Sequence, residues 1–287
     1  MTQAQVVGAE QAAKSHVTVM QAWLDELKHG LDSQLLLTNA VRVGVFYTAA
    51  QISSGHVGVA FTPRDLADTV CCPKSAAQGL PVGKMIGRRA LELAEFGLSQ
   101  SPLRRAVGTA VLNALSALAI ERWGVGGAET RIGVDALAAA EVGEGDSVAM
   151  VGAFAPFIRK LRGKVARLRV IDKHRDTLKP DELEFWRPPE EAVPVLSDAS
   201  VVLITGSALV EGGLDELLAA ASGARRVVMA GPTASPWPPP FFERGVDILG
   251  GIRVRDGFAL LNLVSEGGSG YSFESVAEKV CIIRPGL

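Results

Sequence analysis

The sequence predicts an α/β fold, with a small α+β domain over residues 1–127 and a Rossmann-like, mainly parallel sheet domain over residues 128–287. Three observations carry this reading. Hydrophobic residues make up 48% of the 287 and charged residues 21%, the composition of a chain that folds around a core. A glycine-rich break at residues 124–131 separates two patterns. Beyond it, short β-branched runs alternate with helical ones, which implies parallel strands joined by right-handed crossovers.

The elements follow in order. Residues 11–29 place Val17, Met20, Trp23, Leu24 and Leu27 on one helical stripe. Residues 41–47 and 56–61 read as strands of a hairpin around Ser53-Ser54-Gly55, ended by Thr62-Pro63. Helices are expected over 84–95 and 102–123, the second with Pro102 in its first turn and Gly124 just past its end. The interior of the second is apolar nearly all round, which requires enclosure on most sides, and Gly108 and Asn113 stand out in it. Its apolar run is shorter than the about 20 residues of a membrane span, so it reads as a core helix. In the second part, 147–151, 165–171, 200–205 and 226–230 are strands, and 155–161 and 214–221 are helices. Residues 247–254 and 258–264, joined through Arg255-Asp256-Gly257, are expected to form a hairpin closing the sheet edge.

Charge and cysteine usage narrow the function classes. The chain has 29 basic and 31 acidic residues, a net charge of −2, which removes the electrostatic argument for nucleic-acid or membrane-surface binding. The first 30 residues are polar and amphipathic and predict neither a signal peptide nor an anchor. Three cysteines without a framework spacing predict a cytoplasmic protein.

Candidate chemistry gathers at three strand ends. Gly152 follows the first strand of the second part, and Asp172 lies 20 residues on, at the separation of a ribose-binding carboxylate. Phe154 stands where a dinucleotide turn needs its second glycine, so NAD(P) is expected to bind poorly. Thr205-Gly206-Ser207 and Gly231-Pro232-Thr233 put glycine and hydroxyl groups at two more carboxyl edges, where they can meet a ligand, although the same residues serve turns and helix caps. All are expected on one sheet edge facing the first domain near Thr62 and Asn113. Asn113 satisfies nearby backbone or meets a ligand.

Other features are less pointed. Eight basic residues between Arg159 and Arg175 are either a solvated face or a docking patch for an anion. Cys71 and Cys72 are adjacent, not spaced as a zinc or redox pair. With His56 they are candidate soft-metal ligands, against the plainer reading of buried apolar cysteines. Walker, nucleophile-elbow and H-E-x-x-H patterns are missing from the sequence.

Several segments in order resemble one family: Gly58-Val59-Ala60-Phe61-Thr62, Ala110-Val111-Leu112-Asn113-Ala114, Met150-Val151-Gly152, Ile204-Thr205-Gly206, Gly231-Pro232-Thr233, Gly250-Gly251-Ile252-Arg253-Val254 and Glu266-Gly267-Gly268. From about Gln11 onward the chain is similar to the putative heavy-metal chelation family. That resemblance implies an enolase N-terminal-like domain followed by a Rossmann-like domain. It further implies binding of a heavy-metal ion or metal complex in the interdomain cleft, for metal trafficking or cofactor assembly. The alternative is an enzyme acting on a nucleotide-like or aromatic metabolite in the same cleft. Expected partners are a small molecule or metal ligand, with no nucleic acid and no membrane insertion, and a homodimer is left open. Scarce His and Cys make an oxyanion or a pre-chelated metal fit the donors better than a bare soft ion.

Overall fold

The computed structural model describes residues 17–32, 35–64 and 79–287. Helix α1 (Val19–Leu31) starts where the Thr18 hydroxyl accepts the Gln21 amide, an N-cap. It buries Val19, Trp23, Leu24, Leu27 and Leu31 on one stripe. Residues 11–16 of the expected helix lie outside the described part.

Three strands follow where two were expected. β1 (Thr38–Val43), β2 (Tyr47–Ile52) and β3 (Val57–Phe61) form an antiparallel meander. The expected strand over 41–47 straddles a tight turn in which the Gly44 amide donates to the Tyr47 carbonyl. Val41, Val43, Val45 and Tyr47 continue the alternation straight through that turn, which hides it from a periodicity reading. Of the helix expected over 84–95, only α2 (Ala90–Ala94) forms. The backbone just before it pairs with the start of β1 instead, Gly87 donating to the Thr38 carbonyl at 2.8 Å and Arg88 accepting its amide at 2.9 Å.

Helix α3 (Pro102–Trp123) is capped by Ser101 and ends at Gly124, whose φ of +70° suits glycine. It is long and apolar enough to cross a membrane by length and composition, the one such helix among the described residues, and 78% of its apolar window is buried inside the fold. It lies against β3 at very short range because Gly58 has no side chain to hold the backbones apart, and against the turn Glu95–Leu98 because Gly108 has none.

The chain then makes β4 (Glu129–Ile132), α4 (Ala136–Ala139), β5 (Ser147–Val151), α5 (Ala155–Leu161), β6 (Arg167–Ile171), β7 (Trp186–Arg187), α6 (Ala192–Ser197), β8 (Val201–Thr205), α7 (Ala208–Glu211), α8 (Leu214–Ala220), β9 (Arg226–Ala230), α9 (Pro239–Phe242), β10 (Ile248–Val254), α10 (Gly257–Ser265) and β11 (Ala277–Ile283). These strands build one sheet in the order β4-β11-β10-β9-β8-β5-β6-β7. From β10 to β7 all neighbours are parallel, and their order is that of a doubly wound sheet, with the chain reversing direction between β5 and β8. The fold is therefore α/β, as expected: a three-stranded antiparallel sheet with its helices and an eight-stranded, mostly parallel sheet.

A third expectation is corrected as well. Residues 258–264 are not the second strand of an edge hairpin but lie in α10, whose N-cap Asp256 accepts the Ala259 amide. Leu260, Leu261 and Val264 are the buried positions, a helical spacing that a short apolar run does not distinguish from a strand. The antiparallel partner of β10 is β11, which pairs with β4 in turn.

Candidate functional site

The reversal between β5 and β8 opens a crevice outside the strands' carboxyl ends, where open α/β sheets place ligands. The cavity there has a volume of about 470 Å³, within the range of small-ligand sites. Gly152, Phe154, Asp172, Thr205, Gly206, Gly231, Pro232 and Thr233 all line it, and it is closed by Tyr47 and Phe61 of the meander sheet and by Arg64 just past β3. Eight residues singled out in the sequence thus share one cleft.

Local geometry explains two of the glycines. Gly152 has φ +87°, and a Cβ on it would lie 2.9 Å from the Thr205 methyl. A Cβ on Gly206 would lie 2.6 Å from the Ala234 amide nitrogen. Gly152 thus lets the end of β5 close on the end of β8, and Gly206 lets the end of β8 close on the loop that follows β9.

The acids of the cleft are already engaged. Asp172 does not present a free carboxylate for a ribose, since Oδ2 accepts the Ala153 amide and Oδ1 accepts the His174 amide, each at 2.9 Å. Glu211 pairs with Lys173 at 2.7 Å. Thr205 Oγ1 accepts from the Ser207 amide at 3.3 Å, and its hydroxyl meets that of Ser207 at 3.2 Å. Thr233 Oγ1 accepts the Phe61 amide at 2.9 Å and so ties β3 to the end of β9.

Arg64 and Tyr47 are open donors among the described residues. Arg64 makes no ion pair or hydrogen bond among the described residues. Tyr47 packs its ring edge-on to Phe273 at 5.0 Å, and its hydroxyl makes no hydrogen bond among the described residues. Burial, with a smaller contribution from Tyr271, pushes its phenol up to about 12, so it stays protonated and can donate. Neither residue belongs to a sequence motif. Only the rarity of tyrosine, two in the chain, sets Tyr47 apart.

Three predicted residues lie elsewhere. Thr62 is buried, its hydroxyl bonded to that of Thr48 at 2.9 Å. Asn113 is 2% exposed, and its Nδ2 donates to the carbonyls of Val59 (2.8 Å) and Thr233 (2.9 Å), bridging β3 to the β9 end rather than facing this cleft. His56 has both ring nitrogens engaged, Nδ1 with Ser54 at 3.0 Å and Nε2 with Glu121 at 2.9 Å. Cys71 and Cys72 lie outside the described residues. Among the described residues no three His, Cys, Asp or Glu side chains cluster as a metal cage.

The basic run is largely neutralised in the fold. Lys160 pairs with Asp135, Arg162 with Asp181, Arg167 and Arg169 with Asp198, and Lys173 with Glu211. Arg175 lies over the Trp186 ring. This is the solvated, paired face rather than an open docking patch.

Comparisons with known proteins place the chain. Two family profiles, both described as putative heavy-metal chelation, match residues 25–116 and 135–283. Two similar solved structures are proteins of unknown function from the DUF364 family. One is from Pyrococcus horikoshii, 20% identical with a TM-score of 0.74, covering 93% of this chain and 100% of that one. The other is from Desulfitobacterium hafniense DCB-2, 20% identical with a TM-score of 0.72, covering 92% and 98%. At that identity they establish the fold alone. No protein of curated function matches. With one profile spanning more than half of its length and the fold shared throughout, the chain belongs to the putative heavy-metal chelation family.

Proposed function

We propose that the protein binds a small metal complex, a metal already held by an anionic, oxygen-rich chelator, in the cleft at the ends of β5, β8 and β9. The reading treats residues 1–127 and 128–287 as two domains that close on the ligand from either side, in a cytoplasmic protein. The observation that carries it is the hydrogen-bond balance of the cleft. Its carboxylates Asp172 and Glu211 are committed to protein donors, while the Arg64 guanidinium and the Tyr47 phenol are open. A ligand that satisfies this cleft must bring acceptors. A bare soft cation would need thiolate or imidazole donors, and the cleft offers hydroxyls, a guanidinium and one imidazole, His174. Carboxylates on a chelator match Arg64 by charge-assisted hydrogen bonds.

The test is calorimetric titration with nickel(II)–citrate, nickel(II) alone and citrate alone. The chelate is expected to bind, and Arg64→Ala and Tyr47→Phe are each expected to weaken it by about tenfold, the value of one lost charge-assisted bond. Nickel ion alone binding as tightly as the chelate, with no response to Arg64→Ala, would refute the proposal.

A further inference from the structure

A second cavity, of about 640 Å³, lies between β3 and α3 on one side and β10 and β11 on the other, sharing with the first cleft a single lining residue, Pro232. No role for it follows from the family or from the first cleft. From Ala106 to Ala119, helix α3 is buried at every position except Ala117, and Ala117 opens into this cavity. A helix apolar on all sides calls for cover at each of them, and here the cover is missing. The surrounding wall is apolar: Val57, Ile120, Ile252 and Val280.

The charges around the cavity do not balance. Glu121 is held by His56 at 2.9 Å, and Arg253 pairs with Glu278, which leaves neither open. The Arg255 guanidinium has no carboxylate partner among the described residues, and the one hydrogen bond it makes among them is a 3.5 Å approach to the Ser275 carbonyl. At the wall stands Asn113, 2% exposed, whose Oδ1 accepts no hydrogen bond among the described residues although both amide hydrogens are used. A buried acceptor left without a donor is costly and calls for one.

We infer that this cavity is a second binding site, for a small amphipathic monoanion whose apolar body covers Ala117 and Ile120 and whose acidic group pairs with Arg255. A donor on the ligand reaching the Asn113 wall would complete the missing hydrogen bond.

Naphthalene-2-sulfonate and its uncharged counterpart, naphthalene-2-sulfonamide, are the probes, titrated calorimetrically into the full chain. The sulfonate is expected to bind one to one. Arg255→Gln is expected to weaken it five- to tenfold while leaving the sulfonamide within twofold, because a partly exposed charge pair is worth about that much. Ala117→Trp fills the cavity and is expected to abolish binding of both probes. Should that variant fail to fold, Thr130→Trp on the exposed edge strand β4 blocks the same cavity from its rim. No saturable sulfonate binding overturns the inference. So does binding that survives the folded tryptophan variant, or an Arg255→Gln effect equal on both probes. Nickel(II)–citrate binding in the first cleft should be unchanged in every variant, which keeps the two sites separable.

Discussion

Replacing Gly108 by alanine sets helix propensity against packing. In the interior of an isolated helix the change stabilises by about 1 kcal/mol. In α3 the new Cβ would fall within the van der Waals sphere of the Gly97 amide nitrogen, 2.5 Å from the Phe96 carbonyl carbon and 2.7 Å from Gly97 Cα. All three are backbone atoms of the single turn Glu95–Leu98 and cannot rotate away. Carbon contacts are comfortable near about 3.5 Å, so the helix and the turn must part by about 1 Å or more. Val107, Val111 and Leu112, each fully buried beside this seam, then lose contacts. Overpacking costs up to about 3 kcal/mol, which against a propensity gain of about 1 kcal/mol leaves a net loss of about 2 kcal/mol. Gly97→Ala is the control across the same seam. Its Cβ would meet Leu112 Cδ1 at 3.0 Å and Met20 Cε at 3.2 Å, the ends of flexible side chains, so its loss stays within about 1 kcal/mol. Equilibrium guanidinium unfolding, followed by tryptophan fluorescence and circular dichroism, reads both changes. A Gly108→Ala protein as stable as the wild type would show that the seam between α3 and this turn is not the close backbone contact described.

Three further outcomes are expected. Asn113→Asp removes both donors to the Val59 and Thr233 carbonyls and buries an anion beside them, a loss of about 3 kcal/mol or more by the same unfolding measurement; an unchanged midpoint would contradict the bridging role. The Arg225 guanidinium, with the Gly143 amide and the Ser200 hydroxyl, holds the Asp146 carboxyl well below the usual carboxylate range. Its contribution is therefore complete above the unfolded value of about 4 and lost as pH falls through the folded value. Asp146→Asn should cost about 1–3 kcal/mol at pH 7 and less at pH 3, and a gap that widens on acidification would reverse the sign of this coupling. Burial, then Asp135, pushes the Cys281 thiol up to about 11, and its Sγ donates to the Val134 carbonyl at 3.2 Å. Iodoacetamide at pH 8 should leave Cys281 unlabelled in the folded chain and label it in guanidinium, read by peptide mass spectrometry; rapid labelling of the folded chain would contradict its burial.

The central parallel strands are legible in the sequence because each is a short, fully buried apolar run, such as Val201-Val202-Leu203-Ile204 and Val227-Val228-Met229-Ala230. Arg167 and Arg169 likewise announce a strand near the edge, and only the two-residue β7 lies outside β6. Ambiguity enters where a segment fits two periods. Residues 258–264 satisfy strand and helix alike until Asp256 is recognised as an N-cap, and 41–47 alternates across a turn. The partner strand β11 begins Ala277-Glu278-Lys279, too polar at its start to suggest a strand.

The candidate site divides in the same way. Its glycine and hydroxyl half sits at strand ends, which local pattern reveals. Its donor half, Tyr47 in the meander and Arg64 just past it, comes from about 90 to 185 residues upstream of the strand ends it faces, and only the tertiary fold brings the two together. The pairing of the basic run is equally hidden, because its acids come from segments as distant as Asp135 and Glu211.

The most direct measurement is the anomalous-difference map of crystals soaked in nickel(II)–citrate, collected at the nickel edge. The account predicts one strong peak in the cleft bounded by Tyr47, Arg64 and Ser207, with citrate oxygens between the metal and Arg64. A peak bound directly by protein side chains outside this cleft, with the cleft itself featureless, would contradict it.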